Sequence, residues 1–405
     1  MFHLRINDNL FDDDSLQNVT IRHGSAGPEA SHAVPTIEFS INGRIGEFRN
    51  ERLSLKLNPT LANRYAAYSG GSIAAASLID RFTGRGASRT VEDRGPNDQT
   101  TTITGSNWAS LLKGARRTIT PVVGERTSDL LTRALNHPSM GNRITTTFST
   151  SADFDRVQGE VKPATISEIV SKYGTDLGIH LQQERSGTIE ILPLTRRRAL
   201  MLAQLEQYRW PILRSEGISP ASWAQPTEQA DTQYVLEWAT ANGSEYSLPW
   251  PLPAGVTPFM LKEESVEWRH VTRDSGNDEL LMTALTITTN LPRTELDSLT
   301  IDLIYLLSSG NPYHQRIAAQ LLALNEGDAV FLSRDWLPQI RGPYFAQEIT
   351  ETISPDEWTL TLNLSHARKV LGLYDRDIPE VPARVWESAR LAWGETNSTW
   401  NKGTV

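Results

Sequence analysis

The chain contains no cysteine in 405 residues. That excludes disulfides, thiolate metal sites and cysteine nucleophiles together, and it suits assembly in a reducing cytoplasm. Long apolar runs are missing too: residues 199–205 fall far short of the roughly 20 that a membrane-spanning helix needs. The first eight residues, Met-Phe-His-Leu-Arg-Ile-Asn-Asp, offer neither a sustained apolar stretch nor a small-residue cleavage site, so no secretory signal is expected. Basic charge is in deficit, with 39 Lys and Arg against 48 Asp and Glu and a formal net charge of −9. Such a field repels nucleic acid and disfavours a sequence-reading DNA binder, while leaving open a wall past which DNA slides without being gripped.

Catalytic signatures are equally scarce. There is no Gly-x-Ser-x-Gly elbow and no Walker glycine-lysine loop. The eight histidines, His3, His23, His32, His137, His180, His270, His314 and His366, include no pair four apart and no His-Glu-x-x-His, so they are expected at the surface or at strand ends. Asp12-Asp13-Asp14 has the donors for a hard cation but lacks the turn glycine and the distal bidentate Glu, and reads as a solvated acidic loop. Carboxylate pairs for glycosidic cleavage are set in space rather than in sequence, so that chemistry stays open. Arg116-Arg117 and Arg196-Arg197-Arg198 read as ion-pair partners or helix-end charges. No catalytic, cofactor-binding or metal residue is assigned, and the chain is read as a non-enzyme without cofactors.

What is present is alternation. From Trp358, the residues Trp358, Leu360, Leu362 and Leu364 fall on one face and Thr359, Thr361, Asn363 and Ser365 on the other, the pattern of a half-buried strand begun by Pro355-Asp356. Ile37, Phe39 and Ile41 repeat it before an Asn42-Gly43 turn, and Leu53, Leu55 and Leu57 follow. Residues 79–89 and 99–105 read as a hairpin with a polar tip, and 69–72 as a small-residue loop. A length of 405 suggests two to three domains. The expected fold is mainly β, divided as 1–114, a first β domain; 115–195, a small α+β domain; 196–258, an irregular excursion; 259–375, a second β domain; and 376–405, an extended arm with a helical patch near 383–393.

Within the α+β part, Thr127 is the expected cap of a helix over 128–135, and Thr165 with Glu168 forms a capping box for a helix over 165–177. A hairpin follows at 179–194. Residues 196–207 favour a helix by propensity, although their apolar residues share no clean stripe. The excursion from Trp210 to Pro258 holds seven prolines and four tryptophans. Strands are expected at 266–271, 281–288, 299–307, 329–332, 344–352 and 359–364, with a short helix at 314–323. Of the 11 tryptophans, Trp108, Trp268 and Trp358 are expected in cores. Trp210, Trp223, Trp238, Trp250, Trp386, Trp393 and Trp400 are expected to anchor partner proteins or, as the alternative, to stack on sugars.

Several of these stretches recur together in a known family. Val-Thr-Ile-Arg-His-Gly-Ser (19–25), Arg-Phe-Thr-Gly-Arg (81–85), Thr-Ile-Thr-Gly-Ser-Asn-Trp-Ala-Ser-Leu-Leu (102–112), Leu-Leu-Ala-Leu-Asn-Glu-Gly-Asp-Ala-Val (321–330) and Ile-Ser-Pro-Asp-Glu-Trp (353–358) resemble, in order and spacing over roughly 350 residues, the minor tail proteins of siphophages infecting actinobacteria. The resemblance implies two β-barrel domains related to the tail-tube fold and a baseplate-hub role in the virion tail tip after assembly in the host cytoplasm. It implies a homotrimer ring, with the distal tail protein, the tape-measure protein and further tip or fibre proteins as partners. DNA would pass through without sequence recognition. A receptor- or cell-wall-glycan-binding tail module and a peptidoglycan-degrading tail enzyme are the rival readings.

Overall fold

The structure is a computed structural model, and it describes residues 2–6, 9–11, 16–24, 35–42, 52–57, 79–95, 99–107, 118–136, 156–158, 161–176, 180–183, 185, 189–192, 194–207, 210–215, 218–224, 232–239, 244–253, 261–268, 277–290, 295–333, 336, 340–354 and 357–372. The N-terminal strands are β1 (Phe2–Ile6), β2 (Asn9–Phe11), β3 (Leu16–Gly24), β4 (Thr36–Asn42), β5 (Arg52–Leu57), β6 (Ile79–Asp93) and β7 (Gln99–Ser106). Period-2 patterning does what it should: in β4, Ile37, Phe39 and Ile41 are buried while Thr36, Glu38 and Asn42 face solvent. The hairpin expected around residues 79–105 is β6 against β7.

The middle of the chain runs β8 (Thr118–Ile119), α1 (Thr127–Leu135), β9 (Ala164–Thr165), α2 (Ile166–Asp176), β10 (His180–Gln183), β11 (Ile189–Leu192) and α3 (Leu194–Gln207). The capping box is present: Thr165 N–H donates to Glu168 Oε2 at 2.7 Å, and Glu168 N–H returns a bond to Thr165 Oγ1 at 3.3 Å. Thr127 does not cap α1. Arg126 takes that position without a side-chain bond, and Thr127 is a buried residue of the first turn.

The stretch expected to be irregular carries strands β12 (Ile212–Leu213), β13 (Ile218–Ala224), β14 (Thr232–Ala239) and β15 (Glu245–Pro249), followed by β16 (Lys262–Trp268). Of its described prolines, Pro211 precedes β12, Pro249 ends β15 and Pro220 stands at the register shift of β13, where a missing N–H is tolerated. The remainder is α4 (Asn277–Asn290), β17 (Glu295–Asp302), α5 (Leu303–Ser308), α6 (Pro312–Ala323), β18 (Ala329–Leu332), β19 (Gly342–Ile353), β20 (Trp358–His366) and α7 (Ala367–Leu371). Two expected strands are corrected here. Residues 281–288 lie in α4, where Met282 and Thr286 are buried one turn apart and Asn290 bonds both backbone groups of Thr232, at 2.8 Å each. The strand expected to reach residue 307 stops at Asp302, whose carboxylate accepts from Tyr305 N–H at 2.9 Å and so caps α5.

Among the described residues, thirteen strands join in one sheet, in the order β13-β17-β20-β19-β3-β4-β7-β6-β5-β1-β2, with β18 beside β19 and β12 beside β18. The two β-rich ends of the chain therefore meet edge to edge. Strand β19 makes the join: residues 342–345 pair with β18, a bulge falls between Ala346 and Glu348, and residues 348–353 pair with β3. One apolar cluster runs through both ends, from Leu4 and Phe39 to Leu322, Trp358 and Leu371. A second cluster draws on α1 and α2 and also on β14, β16 and α4, through Tyr234, Leu236, Trp268 and Met282. The class is mainly β with an α+β portion, as expected.

Candidate functional site

The join between the two ends is not purely apolar. Arg81, in β6, is fully buried. Its Nε donates to Glu351 Oε2 at 2.8 Å, Nη2 donates to the same oxygen, and Nη1 donates to the Leu322 carbonyl at 2.6 Å. Glu351 lies on β19 and uses its other oxygen to accept from Trp358 Nε1 at 2.8 Å. Sheet pairing brings these groups together: β19 carries Glu351 opposite Ile21 of β3 and opposite Leu360 of β20.

A second guanidinium enters from the turn after β10. Arg185, 6% exposed, donates from Nη1 to the same Leu322 carbonyl at 2.7 Å. That carbonyl is one of the last in α6, where helical geometry leaves oxygens unclaimed and the helix dipole is negative, so two cations at this point are physically reasonable. Burial, helped by the Arg81 charge, pulls Arg185 down to about 9. His23 completes the cluster by donating from Nε2 to the Arg81 carbonyl at 2.8 Å. Burial and then the Arg185 charge push His23 down to about 3, so it is neutral.

Around this centre lie further polar ties. Arg22 grips Glu348 with Nε at 2.5 Å from Oε1 and Nη2 at 3.0 Å from Oε2. Arg197 of α3 donates to Gln347 Oε1, at the bulge, at 3.3 Å, and its burial lowers its pKa. The Asn325-Glu326-Gly327-Asp328 turn is held by Asp328, which accepts from Asn325 N–H at 2.7 Å and from Gln204 Nε2 at 3.2 Å. Burial raises the Asp328 pKa against the pull of these donors. Beside the turn a cleft of about 300 Å³ is lined by Gln204, Trp210, Gln320 and Asp328. Glycine is dictated at Gly24: its φ is +86°, and a Cβ there would stand 1.9 Å from the Gln347 carbonyl oxygen, into the bulge.

Chemically, this arrangement can lock segments together, with Glu348, Glu351 and Asp328 each engaged by donors from elsewhere in the chain. Among the described residues no group of three His, Asp or Glu side chains has the geometry to hold a metal ion. Asp12 to Asp14, Arg116, Arg117, His32, His137, His270, Trp108, Trp386, Trp393, Trp400 and the 69–72 loop lie outside the described residues. Trp268 and Trp358 are core residues, each 1% exposed. Trp210, expected as an anchor, is instead buried and stacked on Phe331 with centroids 5.1 Å apart. Trp238 is half-buried and stacks on Tyr246. Among the described histidines, His23, His314 and His366 are buried; His23 and His366 stand at the ends of β3 and β20, as expected, whereas His314 lies inside α6. The roles of Arg81, Arg185 and Glu351 had no signal in the sequence beyond Arg81's place in the Arg-Phe-Thr-Gly-Arg stretch.

No family model matches the sequence, and no curated protein matches it significantly. Solved structures do match. A tail protein from Neisseria meningitidis MC58 aligns with a TM-score of 0.55 at 10% identity, covering 92% of this chain and 97% of its own. The 43 kDa tail protein of prophage MuSo2 from Shewanella oneidensis aligns with a TM-score of 0.55 at 10% identity, over 91% of this chain and 99% of its own. Prophage tail protein gp18 from Listeria monocytogenes EGD-e aligns at 0.50 and 12%, over 89% and 94%. This chain has the fold of β-rich phage tail proteins.

Proposed function

We propose that the protein is a structural component of a phage tail tip, of the baseplate-hub or minor-tail class, and not an enzyme. Three copies form a closed ring that joins the tail tube to the tip; the ring holds the channel until the host is engaged, then lets tape-measure protein and DNA pass. Its neighbours are the distal tail protein, the tape-measure protein and tip or fibre proteins, in a siphophage virion assembled in the bacterial cytoplasm. Two tail-tube-like barrels, one from each β-rich end, make the wall. Cyclic closure is the ordinary route to such a ring.

The observation that carries this reading is the near end-to-end likeness to tail proteins, which spans more than nine-tenths of both chains in two cases. A net charge of −9 is in keeping with it, because a wall that does not attract phosphates lets DNA slide past. The buried ionic join supports it as well, since a ring under mechanical load benefits from domains that cannot shear apart. Deleting the gene from its phage or prophage tests the role: particles should lose the tail tip and fail to adsorb. Normal tips on deletion particles, or clearing of host peptidoglycan in a gel by the purified protein, would overturn it.

A further inference from the structure

We propose that the open edge of strand β15 docks an extended segment of a partner protein, in which apolar residues alternate with Lys or Arg. The small sheet runs β15-β14-β16, and among the described residues β15 has no strand on its outer side. All five of its residues, Glu245 to Pro249, are exposed. Trp250, just past its end, donates its N–H to the Tyr234 carbonyl of β14 at 2.7 Å, and Leu248 and Tyr246 stand opposite Leu236 and Trp238 with no register shift. Antiparallel pairs alternate between bonded and non-bonded, so Leu248 and Tyr246 turn their backbone groups to β14. Glu245 and Ser247 therefore turn N–H and C=O outward, and Pro249 its C=O.

Such a row of outward donors and acceptors is a template for another strand, and folded proteins guard it with charge, proline or a covering segment. Here Glu245 and Pro249 guard only the two ends. The faces that flank the edge differ, and the difference defines the partner. On one face Tyr234, Leu236 and Trp268 belong to the second core, and the apolar surface continues outward through half-buried Trp238 to Tyr246, stacked on it at 5.5 Å, and Leu248. Tyr246 is 51% exposed and Leu248 39%. The opposite face carries Glu245, Glu237 and Glu263 among Gln233, Val235, Ser247 and Ser265, with no Lys or Arg among the described residues of these three strands on that side. A strand laid on β15 sends alternate side chains to these two faces. Apolar residues on the first extend the Trp238, Tyr246 and Leu248 strip. Cations on the second meet Glu245 on the adjoining strand and Glu237 one strand further in. Main-chain hydrogen bonds then supply affinity and the alternation supplies selectivity. The docking edge is independent of the tail-tip reading.

Fluorescence anisotropy of the labelled peptide Lys-Val-Lys-Val-Lys-Val-Lys with the full chain tests this, and amide hydrogen exchange is the second measurement. The alternating peptide should bind saturably, about tenfold tighter than Val-Val-Val-Lys-Lys-Lys-Lys of the same composition or Glu-Val-Glu-Val-Glu-Val-Glu. In the free chain the amides of Glu245 and Ser247 should exchange fast and those of Tyr246 and Leu248 slowly, and the peptide should slow the first pair. Ser247→Pro removes an outward N–H without touching the pairing to β14, and should weaken binding by about tenfold. Glu245→Lys, at an exposed position, should turn the preference towards the acidic peptide. Absence of saturable binding, equal binding of the alternating and scrambled peptides, wild-type binding by Ser247→Pro, or an unchanged Ser247 amide at saturation would each overturn the proposal. Should Ser247→Pro fail to fold, Glu245→Lys and the exchange pattern decide.

Discussion

At the scale of single residues, the Arg81–Glu351 pair is the most exposed to test. Removing one member of a buried pair leaves an uncompensated charge, so Glu351→Gln should cost about 3–5 kcal/mol in urea unfolding. The double variant Arg81→Met, Glu351→Leu should cost much less than the two single changes summed, since two fitting apolar side chains need no partner. Trp358→Ala, in contact with the same carboxylate, should lower stability by about 3–5 kcal/mol, read from the unfolding midpoint. His23 gives a pH signature. Its pKa falls from 6.5 in the unfolded chain to about 3 in the fold, so the unfolded state binds the proton first. Stability is then fully present above about pH 6.5 and declines as pH falls from there towards 3, by up to about 1.4 kcal/mol per pH unit. His23→Gln should flatten that part of the curve.

Elements differ in how openly the sequence announces them. Strand β20 was legible because one face is buried and the other is not, so Trp358, Leu360 and Leu362 advertise a period of two. Helix α4 was not, because Thr286, Ile287 and Thr289 favour strands locally while packing between β14 and α7 imposes a helix. Residues 303–308 misled for a related reason: apolar runs carry no period, and a single capping carboxylate, Asp302, decided the outcome. The bulge in β19 was invisible from either strand, yet Gly24 marks it from the opposite side. Gly24→Ala should therefore cost well beyond the about 1–2 kcal/mol of a left-handed backbone alone. Gly124→Ala is the matched control, with φ +84° and nothing within 4 Å of its Cβ, and should lose only that backbone term. Equal losses at the two glycines would remove the bulge from the explanation.

On the scale of the whole molecule, two separated β-rich ends suggested a repeated wall, and the structure joins them through β3 and β19 into one sheet with a shared core. No local pattern reveals that join, because Arg81 and Glu351 are 270 residues apart and each reads alone as an ordinary surface charge. Four of the five motifs that carried the family resemblance nevertheless gather there: Arg22, His23 and Gly24, then Arg81, then the Asn325 to Asp328 turn, then Ile353 and Trp358. If the join welds the ends, amides of β3 and β19 should exchange hydrogen at the rate of global unfolding, together with those of β4 and β20. Earlier exchange of β3 and β4 would show two independent units.

The central claim is position in a virion, and a cryo-EM reconstruction of the intact tail tip of the parent phage tests it most directly. The account predicts three copies of this chain in a ring around the channel, between the tail tube and the distal tip. Density for the chain in a fibre or in the capsid, or its absence from the tip altogether, would contradict it.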